Sequence, residues 1–292
     1  MSGSGTGFKR VVVGLPQGPA NQAAVAAAAD LAEFLNIELL ATFVADAALP
    51  ALAGGSGARE LRALEQDWQA IDRTQITRDI DRAVNVARRY FVEGVRSRRI
   101  KTRFDVLSGA EAMATLIRAD DIVVIIEPAH PGERITWQFT GLLKAAFAMA
   151  GAVLIVPTRI ARATGPIVAV ASTSEDPSIR AALEIAAAFG ERLIIVTAAG
   201  IPPPPLDVFA DAEQLGVQIE QISGSVPVTD ASSRTSVGRL RERLRVLSRG
   251  ALTDDAARLF SSLQGIPLLV IEPDRAEVTA RQQNDRASSS GG

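Results

Sequence analysis

Short apolar runs alternate along this chain with segments that have helical periodicity. Residues 11–15 form the first run, which is rich in β-branched side chains and predicts a buried strand. In the next segment Val25, Ala28, Ala32 and Leu35 fall on one face of a helix. Four more strands are predicted in the first half, at residues 37–44, 102–107, 121–126 and 153–157. Helices are predicted between them at residues 76–95, 110–117 and 139–150.

The same order of elements returns in the second half. Strands are predicted at residues 166–171, 193–196, 217–222, 244–247 and 267–271, and helices at 178–189 and 254–263. Residues 202–205 are four prolines, which predict a stiff connector before a further short helix. The repeated order predicts a tandem duplication joined near residues 158–165.

We therefore expect an α/β protein with two open, mostly parallel five-stranded sheets, each with helices on both faces, arranged as a tandem repeat. The expected domains are residues 1–160 and the more diverged residues 161–275, followed by a polar, disordered tail at 276–292. The last strand of each half is apolar throughout. These two strands are suited to pair with each other edge to edge.

Composition excludes several classes of site. The chain of 292 residues has no cysteine and a single histidine, His130, which excludes disulfides, thiolate catalysis and a His-rich metal site. The net charge of −2 creates no field that favours nucleic acid or anionic membranes. The start lacks the apolar core of a signal peptide, and no run approaches a membrane span, so a soluble cytoplasmic protein is expected. No nucleophile–base pair or carboxylate dyad emerges from residue spacing, so we expect no enzyme activity and no metal.

Several segments resemble the universal stress proteins. They are the opening residues 9–13, the helix end and strand at 30–40, and the later strands at 121–124 and 153–157. In the second half residues 180–184 and 266–270 are similar to the same family, more loosely. The resemblance implies an adenine nucleotide alpha hydrolase-like, Rossmann-like fold. It also implies that the last strands form an internal pseudo-dimer, with a homodimer as a further option.

Nucleotide-binding members of that family carry an aspartate after the first strand and the pattern Gly, two residues, Gly, nine residues, Gly-Ser/Thr after the fourth. Here Pro16 takes the aspartate position, as does Ser174 in the second half. The positions of the glycine pattern are filled by Ile126, Ala129, Phe139 and Thr140. Glycines in such loops adopt positive φ and let backbone N–H groups approach phosphate. We expect the ring of Phe139 to be buried near Ile126.

The expected function is therefore a non-catalytic stress-response or regulatory interaction protein with a degenerate nucleotide site, no cofactor and an unidentified protein partner. The first alternative is a protein that binds ATP or AMP. The second is a small-molecule sensor that uses the loop at residues 127–140, at the carboxyl end of a predicted strand. Its ligand-binding residues would be Gln17, Asn21, Glu127, His130, Arg134 and Thr140. A plain polar surface loop is the simpler interpretation of the same residues.

Two arginine-rich segments are candidates for binding an acidic partner or RNA. The first comprises Arg88, Arg89, Arg96, Arg98, Arg99, Lys101 and Arg103. The second comprises Arg234, Arg239, Arg241, Arg243 and Arg245. Neither has the aromatic platform that single-stranded nucleic acid requires. A solvated surface is favoured for both, and binding to nucleic acid is not expected.

Overall fold

A computed structural model describes most of the chain. The described residues are 8–15, 21–45, 48–53, 55, 57, 59–62, 67–127, 137–157, 160–224, 240–249 and 265–272. The expected disordered tail and the predicted helix at residues 254–263 lie outside them. None of the described helices is both long and apolar enough to cross a membrane.

Strands and helices alternate as the sequence predicts. The strands are β1 (Arg10–Leu15), β2 (Glu38–Ala45), β3 (Arg59–Arg62), β4 (Asp67–Ala70), β5 (Thr102–Ser108), β6 (Asp121–Ile126), β7 (Ala152–Val156), β8 (Ile167–Ala171), β9 (Leu193–Ala198), β10 (Ile219–Gly224), β11 (Leu244–Ser248) and β12 (Leu268–Ile271). The helices are α1 (Asn21–Leu35), α2 (Ala48–Ala53), α3 (Arg73–Val95), α4 (Ala110–Leu116), α5 (Trp137–Met149), α6 (Pro177–Phe189) and α7 (Leu206–Leu215). Neither α2 nor the β3–β4 hairpin was predicted. Helix α2 has only six residues and contains Pro50, and the two four-residue hairpin strands show no clear apolar alternation.

The large strands form one continuous sheet of ten strands, in the order β10-β9-β8-β11-β12-β7-β6-β1-β2-β5. Both halves have the same internal order, in which the first strand lies between the second and the fourth. Pairing is parallel within each half. The α/β class and the parallel pairing are confirmed.

The expectation of two separate sheets is wrong, because the two edge strands join. β12 pairs with β7 in antiparallel register, with Leu269 opposite Leu154 and Val270 opposite Val153. Both strands are buried along their whole length. An unpaired edge would leave these backbone N–H and C=O groups without partners beside apolar side chains. The predicted edge-to-edge pairing of the two final strands is therefore confirmed, and it merges the two sheets.

The core lies on both faces of this sheet. Alternate residues of β1 point to opposite faces, so Val11 and Val13 belong to one apolar layer and Val12 to the other. Helices α1, α3, α6 and α7 cover the first face, and α4 and α5 contribute to the second. Helix α3 approaches α1 so closely that a Cβ on Gly94 would lie 2.6 Å from Val25 Cγ1.

Side chains also hold the two halves together above the first face. Helices α1 and α6 meet there, with the Phe34 and Phe189 ring centroids 4.1 Å apart. The Arg243 guanidinium lies 3.7 Å from the Phe189 ring centroid, a cation–π geometry. Arg249, just after β11, pairs with Glu272 at 2.9 Å and also donates to the carbonyl of Phe147 in α5.

The segment between the halves is tied to the second half. Ala161 N donates to Gly265 O at 2.7 Å, and Gly165 N donates to Glu191 Oε1 at 2.9 Å. Gly165 has φ +133°, and a Cβ there would lie 2.4 Å from Arg241 O. Only glycine fits this turn without strain. The domain boundary expected here stays a prediction.

One buried ion pair fixes β1 to β6 at their amino ends. Arg10 Nε and Nη2 donate to the two carboxylate oxygens of Asp121 at 2.9 and 2.7 Å. Arg10 also donates to Leu116 O, and Arg118 N donates to Asp121 at 2.8 Å. The hydrogen bond that Arg10 donates to Asp121 is the largest cause that raises the pKa of Arg10. Arg10 Nε and Nη2 and both carboxylate oxygens of Asp121 thus have hydrogen-bond partners, which offset the cost of burying the two charges.

We predict that Arg10→Met lowers the free energy of unfolding by about 3–5 kcal/mol, because it leaves Asp121 buried without its cation. Chemical denaturation measures the change. The neighbouring Lys9→Met removes a solvent-exposed pair with Asp120 and is the matched control, with an expected loss below about 1 kcal/mol. Equal losses for the two variants would contradict a special role for the buried pair.

A second buried pair lies at the amino end of β11. The Glu242 side chain is fully buried and pairs with Arg245. Its Oε2, together with Arg245 Nε, has no hydrogen-bond partner within the described ranges. Burial raises the pKa of Glu242 above its ordinary value, although the charges of Arg245 and Arg162 oppose that shift.

This raised pKa gives a signed pH dependence. Between the ordinary glutamate pKa and the raised one, the folded chain holds a proton that the unfolded chain has lost, so stability falls as pH rises. We predict that Glu242→Gln removes this fall, so that the variant gains stability relative to the parent as pH increases through that window. Urea midpoints measured across the window test this. Glu220 is exposed, and Glu220→Gln removes its pair with Arg192. The urea midpoint of this control variant should change with pH as that of the parent does.

Candidate functional site

The first-half crevice lies where the chain direction over the sheet reverses. From β1 the chain moves to β2 on one side, and it later returns to β6 on the other side. The carboxyl ends of β1 and β6 therefore border a crevice, at Leu15 and Ile126. Ligands of open α/β sheets bind at such a point. The loop singled out in the sequence begins here.

The structure describes only some of the predicted ligand-binding residues. Glu127 directly follows β6 and is 4% exposed, and Thr140 is half-buried in the first turn of α5. Asn21 begins α1, but its side chain lies outside the described part. The same is true of the Phe139 side chain, and its burial near Ile126 stays a prediction. The whole of Pro16, Gln17, Ala129, His130 and Arg134 falls outside the described residues.

The backbone at the first glycine position is extended strand. Ile126 is the last residue of β6, is buried, and pairs in register with Val156. Glu127 N continues the pairing and donates to Val156 O at 2.8 Å. Among the described non-glycine residues, positive φ occurs at Asn36 and Arg241, not here. The N–H group that follows Ile126 is thus used by the sheet.

The second-half crevice lies between the carboxyl ends of β8 and β11. Here Asp176, 3% exposed, accepts four hydrogen bonds. Its Oδ2 accepts from Ser172 N at 2.9 Å, Ser172 Oγ at 2.8 Å and Ser248 Oγ at 3.0 Å. Its Oδ1 accepts from Ser178 N at 2.9 Å, which caps α6. The carboxylate thus joins the turn after β8, the start of α6 and the end of β11.

Sequence reasoning missed this network. It aligned Ser174 with the family's aspartate, whereas the carboxylate of this turn belongs to Asp176, two residues later. Ser174 itself is half-buried in the same turn. An Asp followed by Pro177 at the start of a helix is a typical N-cap signal and was the available clue. The bond to Ser248 had no local signal, because 72 residues separate the two positions.

Among the described residues, three of the seven basic side chains in the first arginine-rich segment contact other groups of the protein. Arg98 pairs with both Asp30 and Glu33 of α1, and Arg103 pairs with Asp105 at 2.8 Å. The Arg88 guanidinium lies 5.0 Å from the Phe104 ring centroid. In the second segment Arg243 stacks on Phe189 and Arg245 pairs with Glu242, while Arg234 and Arg239 lie outside the described residues. These contacts favour the interpretation of a solvated, internally paired surface.

The described residues offer no metal site. No group of three or more histidine, aspartate or glutamate side chains among them is arranged to hold an ion. In the second crevice, the described polar groups bind one another. The expectation that the protein uses no metal remains a prediction for the chain as a whole.

We predict that Asp176→Ala lowers the free energy of unfolding by about 2–4 kcal/mol, since it removes a helix cap and leaves the buried Ser248 hydroxyl unpaired. Asp207→Ala is the control, because it removes an exposed acid from the first turn of α7. Its expected cost is small, because an ion pair between exposed side chains contributes little in water. Thermal and urea unfolding measure both variants, and an Asp176→Ala protein as stable as the parent would refute the role given to the network.

Comparison with known proteins supports the architecture. No family model and no curated protein sequence matches the chain. Among solved structures, a universal stress protein from Archaeoglobus fulgidus DSM 4304 is similar with a TM-score of 0.56 and 11% identity, over 89% of this chain and 96% of that one. A putative universal stress protein from Pseudomonas aeruginosa UCBPP-PA14 has a TM-score of 0.53 and 15% identity, with 92% and 94% covered.

A protein of unknown function from Pseudomonas aeruginosa PAO1 has a TM-score of 0.52 and 13% identity, with 96% of this chain and 98% of that one covered. Each of these three likenesses spans nearly the whole chain, so both halves and their junction contribute to it. At such identities structural likeness reports backbone architecture and not the chemistry of a site. The chain therefore has the fold of the universal stress proteins.

Proposed function

We propose that this protein is a non-catalytic, universal-stress-like protein of the cytoplasm that acts in stress response or regulation by binding a protein partner. We further propose that its crevices do not take a nucleotide. The observation that carries the second statement is the extended backbone at Ile126 and Glu127. There the Glu127 N–H donates to Val156 O at 2.8 Å.

Phosphate binding at a strand–helix junction depends on free backbone N–H groups that converge on the anion. Strand pairing uses the N–H of Glu127. Ile126 adds a β-branched side chain at a position where the phosphate loop would require glycine and positive φ. Turning this N–H toward a ligand would break the last hydrogen bond between β6 and β7, so phosphate binding has a structural cost here.

Charge also disfavours phosphate in both crevices. The first holds the buried Glu127, and the second holds the buried Asp176. A carboxylate and a phosphate at short range repel each other strongly when little water lies between them. In the second crevice the hydroxyl groups of Ser172 and Ser248 could donate hydrogen bonds to a phosphate. Both instead donate to Asp176. Each crevice therefore carries an acid where a nucleotide site needs donors.

The proposal that the protein is not an enzyme rests on the amino-acid composition of the chain. The chain has no cysteine and one histidine, which leaves few ways to build an activated nucleophile or a general base near neutral pH. The hydroxyls that lie near a described carboxylate in the second crevice serve as hydrogen-bond donors to a helix cap. A binding role is consistent with all these features.

We predict that the purified protein releases no stoichiometric ATP or AMP when it is denatured, and that calorimetric titration with either nucleotide up to about 1 mM gives no binding isotherm. Glu127→Gln separates the two physical reasons. It removes the buried charge but leaves the Glu127 N–H paired with Val156 O, so we expect it to remain unable to bind. Micromolar binding by the parent chain would favour the ATP- or AMP-binding alternative, and binding by Glu127→Gln alone would show that charge is the whole barrier.

A further inference from the structure

Between β9 and α7 the chain runs through Ile201, four consecutive prolines and Leu206, here named the polyproline ridge. Each proline fixes its own φ near −65°, and each residue that precedes a proline is restricted to extended conformations. Residues 202–204 are subject to both constraints and are thereby held close to polyproline II geometry, and Ile201 and Pro205 are each subject to one of them. Pro205 has φ −56° and ψ 150°, as that helix requires.

Polyproline II has three residues per turn, so residues three apart share one edge. Pro203 is exposed on one such edge, and Leu206, which follows three residues later as the first residue of α7, is 86% exposed. Ile201 and Pro204 lie on another edge, where Pro204 is buried and Ile201 half-buried. One edge of the ridge is therefore anchored in the protein while the other presents an apolar strip to solvent.

The charges nearest to this strip in the sequence are paired. Asp207 and Asp211 of α7, both exposed, pair with Arg180 of α6. A stiff connector would explain the buried Pro204 and the helix start at Pro205, but it needs no leucine in full contact with water. Isolated exposed leucines are ordinary. Here the leucine is aligned with an exposed proline on a backbone that loses almost no entropy when it binds.

We propose that the polyproline ridge is a docking element for a partner protein with an aromatic-lined groove of the kind that accepts polyproline II helices. Such grooves bind alternate edges of a preformed polyproline helix and gain affinity from its low conformational entropy. The proposal names the kind of protein partner that the proposed function requires, and it rests on that function for its biological meaning. It does not depend on whether the crevices bind nucleotide. A negative result in the domain-binding experiment therefore leaves the nucleotide prediction unaffected, and the reverse also holds.

The full-length chain is tested by surface plasmon resonance against purified SH3, WW and EVH1 domains, whose grooves have this chemistry. We expect at least one of the three domain types to bind with a Kd below about 1 mM, and Pro203→Glu and Leu206→Glu each to weaken that binding about tenfold or more. Leu215→Glu is the matched control, since Leu215 is an exposed leucine at the far end of the same helix, and it should bind like the parent.

Thermal unfolding of each variant confirms that it remains folded, and Leu206→Ala replaces any acidic variant that does not. The proposal is overturned if none of the domains binds the parent chain at millimolar concentration. It is equally overturned if the ridge variants bind as the parent does, or if Leu215→Glu weakens binding as much as they do.

Discussion

The antiparallel pairing of β7 with β12 determines the shape of this protein. All other large strands pair in parallel within their own half, so this one junction turns two five-stranded sheets into a single sheet of ten. The pairing gives hydrogen-bond partners to the backbone groups of two apolar edge strands at once, which neither half can do alone. Because the junction is antiparallel, the strands of the two halves point in opposite directions. The carboxyl ends of the strands in one half therefore lie beside the amino ends of the strands in the other half. The two crevices face opposite ends of the strand direction.

This separation makes the crevices independent, and hydrogen-bond requirements shape each of them differently. In the first, strand pairing extends one residue past β6 and uses the N–H of Glu127. In the second, Asp176 collects donors from the turn after β8, from α6 and from β11. Buried polar groups must find partners. In each crevice, these polar groups find their partners inside the protein.

Outside the crevices, much of the surface charge is paired. Arg98 bridges two acids of α1, Arg249 links β11 to Glu272, and Arg180 neutralises two acids of α7. These arginines thus serve local stability and, through the bond from Arg249 to Phe147 O, the contact between the halves. By contrast, the polyproline ridge is uncharged and has a backbone fixed before any contact. The partner proposed for the ridge would recognise it by shape and apolar contact.

The sequence alone determined which segments become strands and helices and which strands are buried, since the periodicity of apolar residues directly reports burial on one or both faces. It also determined that the two final strands were suited to pair. Only the tertiary structure decided that one continuous sheet results, that α2 and the β3–β4 hairpin form between β2 and α3, and that Asp176 meets Ser248 across 72 residues. Local patterns encode the environment of each residue, whereas the meeting of distant polar groups depends on how the packed elements place them.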